Sequence, residues 1–120
     1  MKPQNSVNLQ RVFNATRYSL QGLKKAYQSE AAFRQEMWLS FFLLPAGLYL
    51  GEGASEKVLL CASVFIVLIT ELLNSAIEAV VDRISSEFHE LSGKAKDIGS
   101  AAVFTSIVLF CLTWLLILCN

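Results

Sequence analysis

The residues best suited to chemistry lie on one short stretch: Glu71, Asn74, Ser75, Glu78 and Asp82, spaced by three, one, three and four positions. At about 100° per residue of α-helix, all five project within one sector of roughly 100°. The helix that carries them is otherwise apolar, and the preceding run from Val58 to Thr70, VLLCASVFIVLIT, has no charge at all. A charged side chain in the middle of a bilayer costs about 2.5–3.5 kcal/mol even on mild insertion scales, so Glu71 and Glu78 need a partner or an aqueous pocket. Carboxylates so placed can take a proton from an attacking hydroxyl or hold a divalent cation.

Depth sharpens the pattern. At about 1.5 Å rise per residue, Glu71 stands roughly 21 Å and Glu78 roughly 31 Å along the helix from Lys57. Glu78 therefore sits at the membrane edge opposite Lys57, with Glu71 about two turns deeper. The same edge gathers Glu87, His89, Glu90, Lys94, Lys96 and Asp97 from the polar block after this helix, and Glu30, Arg34 and Glu36 from the segment before the first apolar run.

Phosphoryl transfer from a nucleotide needs carboxylates for Mg²⁺, cations to offset phosphate charge, and a group to position or deprotonate the attacking hydroxyl. The edge offers all three. By residue type alone, a stripe that ties helices together or lines a proton or ion path remains open. His89 is the only histidine, which excludes a zinc site of the usual kind. A solvated loop histidine, solvated positive-inside lysines at Lys94 and Lys96, and headgroup contacts for Arg11 and Arg17 are the plainer readings of those residues. Ser92-Gly93-Lys94 looks like the end of a phosphate loop, but Ala follows the lysine and no strand precedes it, so a Walker A motif is rejected.

The elements that position these groups are helical and membrane-bound. Hydrophobic residues make up 54% of the 120 positions, too many for an ordinary soluble domain of one unit. The formal net charge is zero, with the charges collected in polar blocks, which argues against a nucleic-acid partner. The start, MKPQNSVNLQ, has no apolar core for a signal peptide, so a retained N-terminus is expected. Residues 1–30 carry Val12, Ala15, Tyr18 (or Ser19), Gly22 (or Leu23) and Ala26 at helical spacing among basic residues, the pattern of an amphipathic helix on a membrane surface.

Spans are expected over about 31–50, 56–83 and 96–119, with Pro45 kinking or bounding the first and GEGASEK, Gly51 to Lys57, turning the chain between the first two. Ile98 to Cys119 supplies 22 residues without a charge. Lys and Arg concentrate before the first span and between the second and third, which puts the N-terminus and that second connection in the cytoplasm. Cys61, Cys111 and Cys119 form no metal or disulfide pattern and read as small buried hydrophobes.

Three stretches, EAAFRQE (Glu30–Glu36), ELLNSAIEAVVDR (Glu71–Arg83) and EFHELSGKAKDIGSAAV (Glu87–Val103), resemble the signature segments of the integral-membrane diacylglycerol kinase family, in order and spacing over nearly the whole chain. EAAFRQE and the Tyr18-Ser19-x-x-Gly22-Leu23 pattern look like its Gram-negative branch rather than the undecaprenol kinase branch. The resemblance implies an all-α homotrimer of three-span subunits in the bacterial inner membrane, each with a surface helix, and active sites built between subunits at the cytoplasmic interface.

It also implies an ATP-dependent phosphorylation of diacylglycerol. Glu71 would be the base, Glu30 and Glu78 the Mg²⁺ ligands, and Asn74 the group that positions the phosphoryl group or Glu71. Lys96 and Asp97 would offset and orient the transferring phosphate, while Arg11, Tyr18, Glu87, Phe88 and His89 would contact ATP. Arg11, Arg34, Gln35 and Ser100 would lie near the lipid. Leu20, Ser85 and Phe88 stand where an aromatic residue, Gly and Tyr are expected. The alternatives are an undecaprenol kinase and, in another class, a small oligomeric proton-coupled transporter titrating at Glu71.

Overall fold

A computed structural model describes residues 8–84 and 89–120. The described chain is helical: α1 (Leu9–Ser29), α2 (Ala31–Leu50), α3 (Gly53–Ile84) and α4 (Glu90–Leu118). Asn8 starts α1 by accepting a hydrogen bond from the Arg11 amide at 2.8 Å, which satisfies one of the orphan donors of a helix N-terminus. A single extended residue, Glu30 (φ −114°, ψ 106°), separates α1 from α2. Helix α2 runs on through Pro45, which neither bounds nor interrupts it.

The turn into α3 is short because three devices close it. Gly53 adopts φ +85°, a backbone region that side chains disfavour. The Lys57 ammonium donates to the Leu48 and Gly51 carbonyls at 2.5 and 3.0 Å, capping the end of α2. The Glu52 amide donates to the Glu56 carboxylate at 2.9 Å, so the start of α3 is capped as well.

Helix α3 is the central element and packs against both α2 and α4. Its 32 residues span about 48 Å, longer than the roughly 30 Å hydrocarbon core. Its end carries Asp82 and Arg83, and α4 begins at Glu90, so Lys94, Lys96 and Asp97 all sit on helix. Helical hydrogen bonding continues past the apolar stretch because charged residues extend a helix readily in water.

Small residues line the close approaches: Ser40 and Gly47 on α2, Ser63 on α3, Gly99 and Ser106 on α4 are all buried. This is the packing of membrane helices, where van der Waals fit and interhelical hydrogen bonds replace the hydrophobic effect. The Trp114 indole N–H, for example, lies 3.2 Å from the Leu60 carbonyl and 3.1 Å from the Ser63 hydroxyl. Large apolar side chains face outward instead, among them Phe41, Phe42, Phe65, Ile69, Phe104, Leu112 and Leu116.

By length and composition α3 and α4 are long and apolar enough to cross a membrane; α2, with Arg34 and Glu36 in its 20 residues, does not reach that measure. Cys61 is half-buried, but Cys111 on α4 and Cys119, which caps its C-terminus, are exposed in the single chain, contrary to the expectation of buried thiols. They lie off the narrow face, through Gly99 and Ser106, that α4 buries.

Candidate active site

Three helices meet at one apolar point: Ala26 of α1, Phe33 of α2 and Leu68 of α3 are buried against one another, with Met37 and Leu72 packed beside them. Phe33 and Leu68 are each three residues from an acid, Glu30 or Glu36 on one side and Glu71 on the other. The packing therefore brings the acids of two elements together. Glu71 is only 7% exposed, and it lies within Coulombic reach of Glu30, Glu36 and Glu78.

Asn74, one turn further on, has its amide oxygen buried with no hydrogen-bond partner. Its carboxamide lies against Gly99 of α4, and a Cβ placed at residue 99 would collide with that oxygen. Ser75 and Glu78 are half-buried and Asp82 is exposed, so the stripe grades from interior to surface along α3. At its outer end Asp82 accepts an ion pair from Lys96 of α4 at 2.6 Å.

Two hollows flank the acids. One, of about 560 Å³, lies between α1 and the C-terminal half of α3 and is lined by Ser19, Lys25, Ser29, Glu30 and Ser75 among others. The other, of about 190 Å³, is apolar, bordered by Leu39, Leu43, Val64, Val67, Leu68, Ile107 and Phe110, with Glu36 as its charged member.

The fold thus gathers Glu30, Glu71, Asn74 and Glu78, with Lys96 at the rim. Arg34 is half-buried, and its guanidinium donates to the Tyr27 and Gln28 carbonyls at 2.6 and 3.3 Å. His89 caps α4, its Nδ1 accepting from the Leu91 amide at 3.1 Å. Arg11, Tyr18, Gln35, Asp97 and Ser100 are exposed, and one chain by itself ties none of them to the stripe by hydrogen bond or ion pair among the described residues. The expected nucleotide contacts Glu87 and Phe88 lie outside the described residues.

Glu36 is the residue that spacing undervalued. One of its carboxylate oxygens is buried without a hydrogen-bond partner. Its signal was its place as the last charge before the charge-free run of α2, but its alignment with Glu71 depends on how α2 packs on α3.

Carboxylates crowded around Glu71 repel one another, and a divalent cation relieves that repulsion. Among the described residues no three His, Cys, Asp or Glu side chains converge into a self-sufficient metal cage. Mg²⁺ needs none: it is usually held by one or two carboxylates and completes its octahedron with phosphate oxygens and water. Glu30 and Glu78 are hard oxygen donors of that kind and fit the ion.

Comparison with known proteins points the same way. The model of the prokaryotic diacylglycerol kinase family matches residues 17–118. A diacylglycerol kinase of Haemophilus influenzae is 50% identical over 109 residues, covering 91% of this chain and 92% of the relative. Those of Escherichia coli K12 and Pseudomonas aeruginosa are each 49% identical, over 114 residues (95% of this chain, 93% of the relative) and 110 residues (92% and 89%).

Proposed function

The chain belongs to the prokaryotic diacylglycerol kinase family, and on that premise we propose how its own residues carry the reaction. It is a kinase that turns diacylglycerol into phosphatidic acid, with ATP as the phosphoryl donor. The observation that carries the assignment of roles is the buried Glu71 carboxylate one helical turn from the unpartnered amide oxygen of Asn74.

Glu71 accepts the proton of the free glyceride hydroxyl as its oxygen attacks the γ-phosphorus. The bond between the γ-phosphorus and the β–γ bridging oxygen breaks, ADP leaves with the electron pair, and no covalent protein intermediate forms. Asn74 orients the reacting groups. Glu30 and Glu78 hold Mg²⁺, which when bound neutralises the ATP phosphates. Lys96 offsets charge on the transferring phosphoryl group; its bond to Asp82 is surface-exposed, so an incoming phosphate competes for it readily. Asp97 orients the phosphate.

Arg11, Tyr18, Glu87, Phe88 and His89 contact the nucleotide, and Arg11, Gln35 and Ser100 border the lipid. Several of these are exposed in the single chain. A homotrimer accounts for that, since a neighbouring subunit supplies residues that one chain leaves outside. Three packed copies also cover the polar stripe, which a single three-span subunit has too few helices to enclose. In this reading α2 is the first of three spans, α1 lies on the cytoplasmic surface of the inner membrane, and the N-terminus is cytoplasmic, as the distribution of Lys and Arg favours.

The test is transfer of radiolabelled phosphate from ATP in mixed micelles, offering dioleoylglycerol and undecaprenol in parallel, with and without Mg²⁺. Mg²⁺-dependent labelling of the glyceride is expected. Labelling of undecaprenol alone, or labelling of the glyceride undiminished by a chelator, overturns the substrate or the metal part of the reading respectively.

A further inference from the structure

The junction between α1 and α2 is a single extended residue, and that residue is Glu30, a proposed cation ligand. Helix α1 ends with no basic residue in its last turn, leaving carbonyls that need donors. The Glu30 amide donates to the Ala26 carbonyl at 2.8 Å and the Ser29 hydroxyl to the Lys25 carbonyl at 2.9 Å. The Tyr27 and Gln28 carbonyls are met from the other side of the junction, by the Arg34 guanidinium at 2.6 and 3.3 Å. The backbone amide of Arg34 meanwhile donates to the Glu30 carbonyl at 3.0 Å.

The same guanidinium stands 5.9 Å from the centre of the Tyr27 ring, and the Tyr27 hydroxyl accepts from the Trp38 indole at 2.9 Å. A cation at a helix C-terminus is favoured by the helix dipole as well as by its hydrogen bonds. One arginine therefore fastens the end of α1 to the beginning of α2 and brackets Glu30 from both sides.

We propose that Arg34 is a positioning residue: it locks the α1–α2 elbow and so fixes where Glu30 presents its carboxylate to α3. This rests on the reading of Glu30 as a cation ligand and departs from the assignment of Arg34 to the lipid. Both bonds leave one terminal nitrogen, Nη1, which is held in place by the planar guanidinium over the Tyr27 ring; lysine, a point charge on a flexible stem, keeps the charge and has no planar group to lie there.

The experiment compares wild type with Arg34→Lys, Arg34→Gln and Glu30→Gln in the full assembly in mixed micelles. Mn²⁺ binding is read by electron paramagnetic resonance with the β,γ-imido analogue of ATP, and amide hydrogen exchange is read over residues 27–34. Both Arg34 variants should weaken Mn²⁺ binding by about tenfold or more, the usual effect of removing a group that orients a metal ligand. They should also speed exchange at the elbow, with the diacylglycerol KM within about twofold of wild type. The charge-retaining lysine variant guards against simple misfolding.

A raised lipid KM with unchanged Mn²⁺ affinity and unchanged exchange returns Arg34 to the lipid site and overturns the proposal. If Glu30→Gln itself leaves Mn²⁺ affinity intact, the cation reading of Glu30 fails. The elbow lock is then judged by hydrogen exchange alone, and unchanged exchange in the Arg34 variants refutes it.

Discussion

The side-chain amide of Asn74 rests on the bare Cα of Gly99, the one place along the N-terminal half of α4 that is buried. The absence of a side chain at residue 99 is thus what lets a polar group of α3 lie flat between two helices beside Glu71. Gly99→Val should push the carboxamide off its seat. Loss of one well-placed hydrogen bond to a charged group is worth about 1.5–3 kcal/mol, so kcat should fall by roughly 10- to 100-fold with the KM for ATP little changed. Steady-state kinetics check it; a wild-type kcat contradicts the role given to Asn74.

Glu71→Gln keeps the shape of the side chain and removes its ability to accept a proton. Assembly and ATP binding should survive, while turnover drops by about 10²–10⁴-fold, the usual worth of a positioned base. Single-turnover phosphate transfer, alongside ATP binding by calorimetry, separates the two. Turnover near the wild-type rate would show that another group takes the proton.

Glu78→Gln should instead lose Mg²⁺-dependent nucleotide binding. Binding of ATP measured across a Mg²⁺ titration should become weak and nearly insensitive to the ion, because neutralising one of two carboxylates removes a hard ligand. An unaltered Mg²⁺ dependence removes Glu78 from the cation site.

Trp114→Phe tests the packing far from the chemistry. It deletes the indole bonds to Ser63 and the Leu60 carbonyl. Interhelical hydrogen bonds within membranes average about 0.6 kcal/mol and reach about 1.7, so equilibrium unfolding in mixed micelles should register a loss in that range with kinase activity retained. A loss of activity at unchanged stability would mean that the α3–α4 seam carries more than packing.

The acidic stripe of α3 was legible in the sequence because a helix repeats its faces at a fixed angle, so spacing alone puts Glu71, Asn74 and Glu78 together. Relations between helices were not. That Asn74 meets Gly99, or that Lys96 reaches Asp82, depends on the register of α4 on α3, which no spacing within one helix encodes. Glu36 was visible as an acid at the edge, but its approach to Glu71 follows from the Ala26, Phe33 and Leu68 contact. Arg34 shows the same limit: its sequence position says nothing of a guanidinium that reaches back across the elbow. The last helix, expected from about residue 96, opens earlier, at Glu90, and takes in Lys94 as well as Lys96 and Asp97, because polarity marks the water boundary and not the end of a helix.

The modest apolarity of α2 bears on how the protein is made. A nascent segment that opens with Arg34 and Glu36 partitions poorly into lipid by itself, and only a tightly capped two-residue turn separates it from the strongly apolar α3. In the three-span reading the two enter the bilayer together as a hairpin. The insertion machinery must then hold α2 until α3 has emerged from the ribosome, and the later helix commits the earlier one to cross.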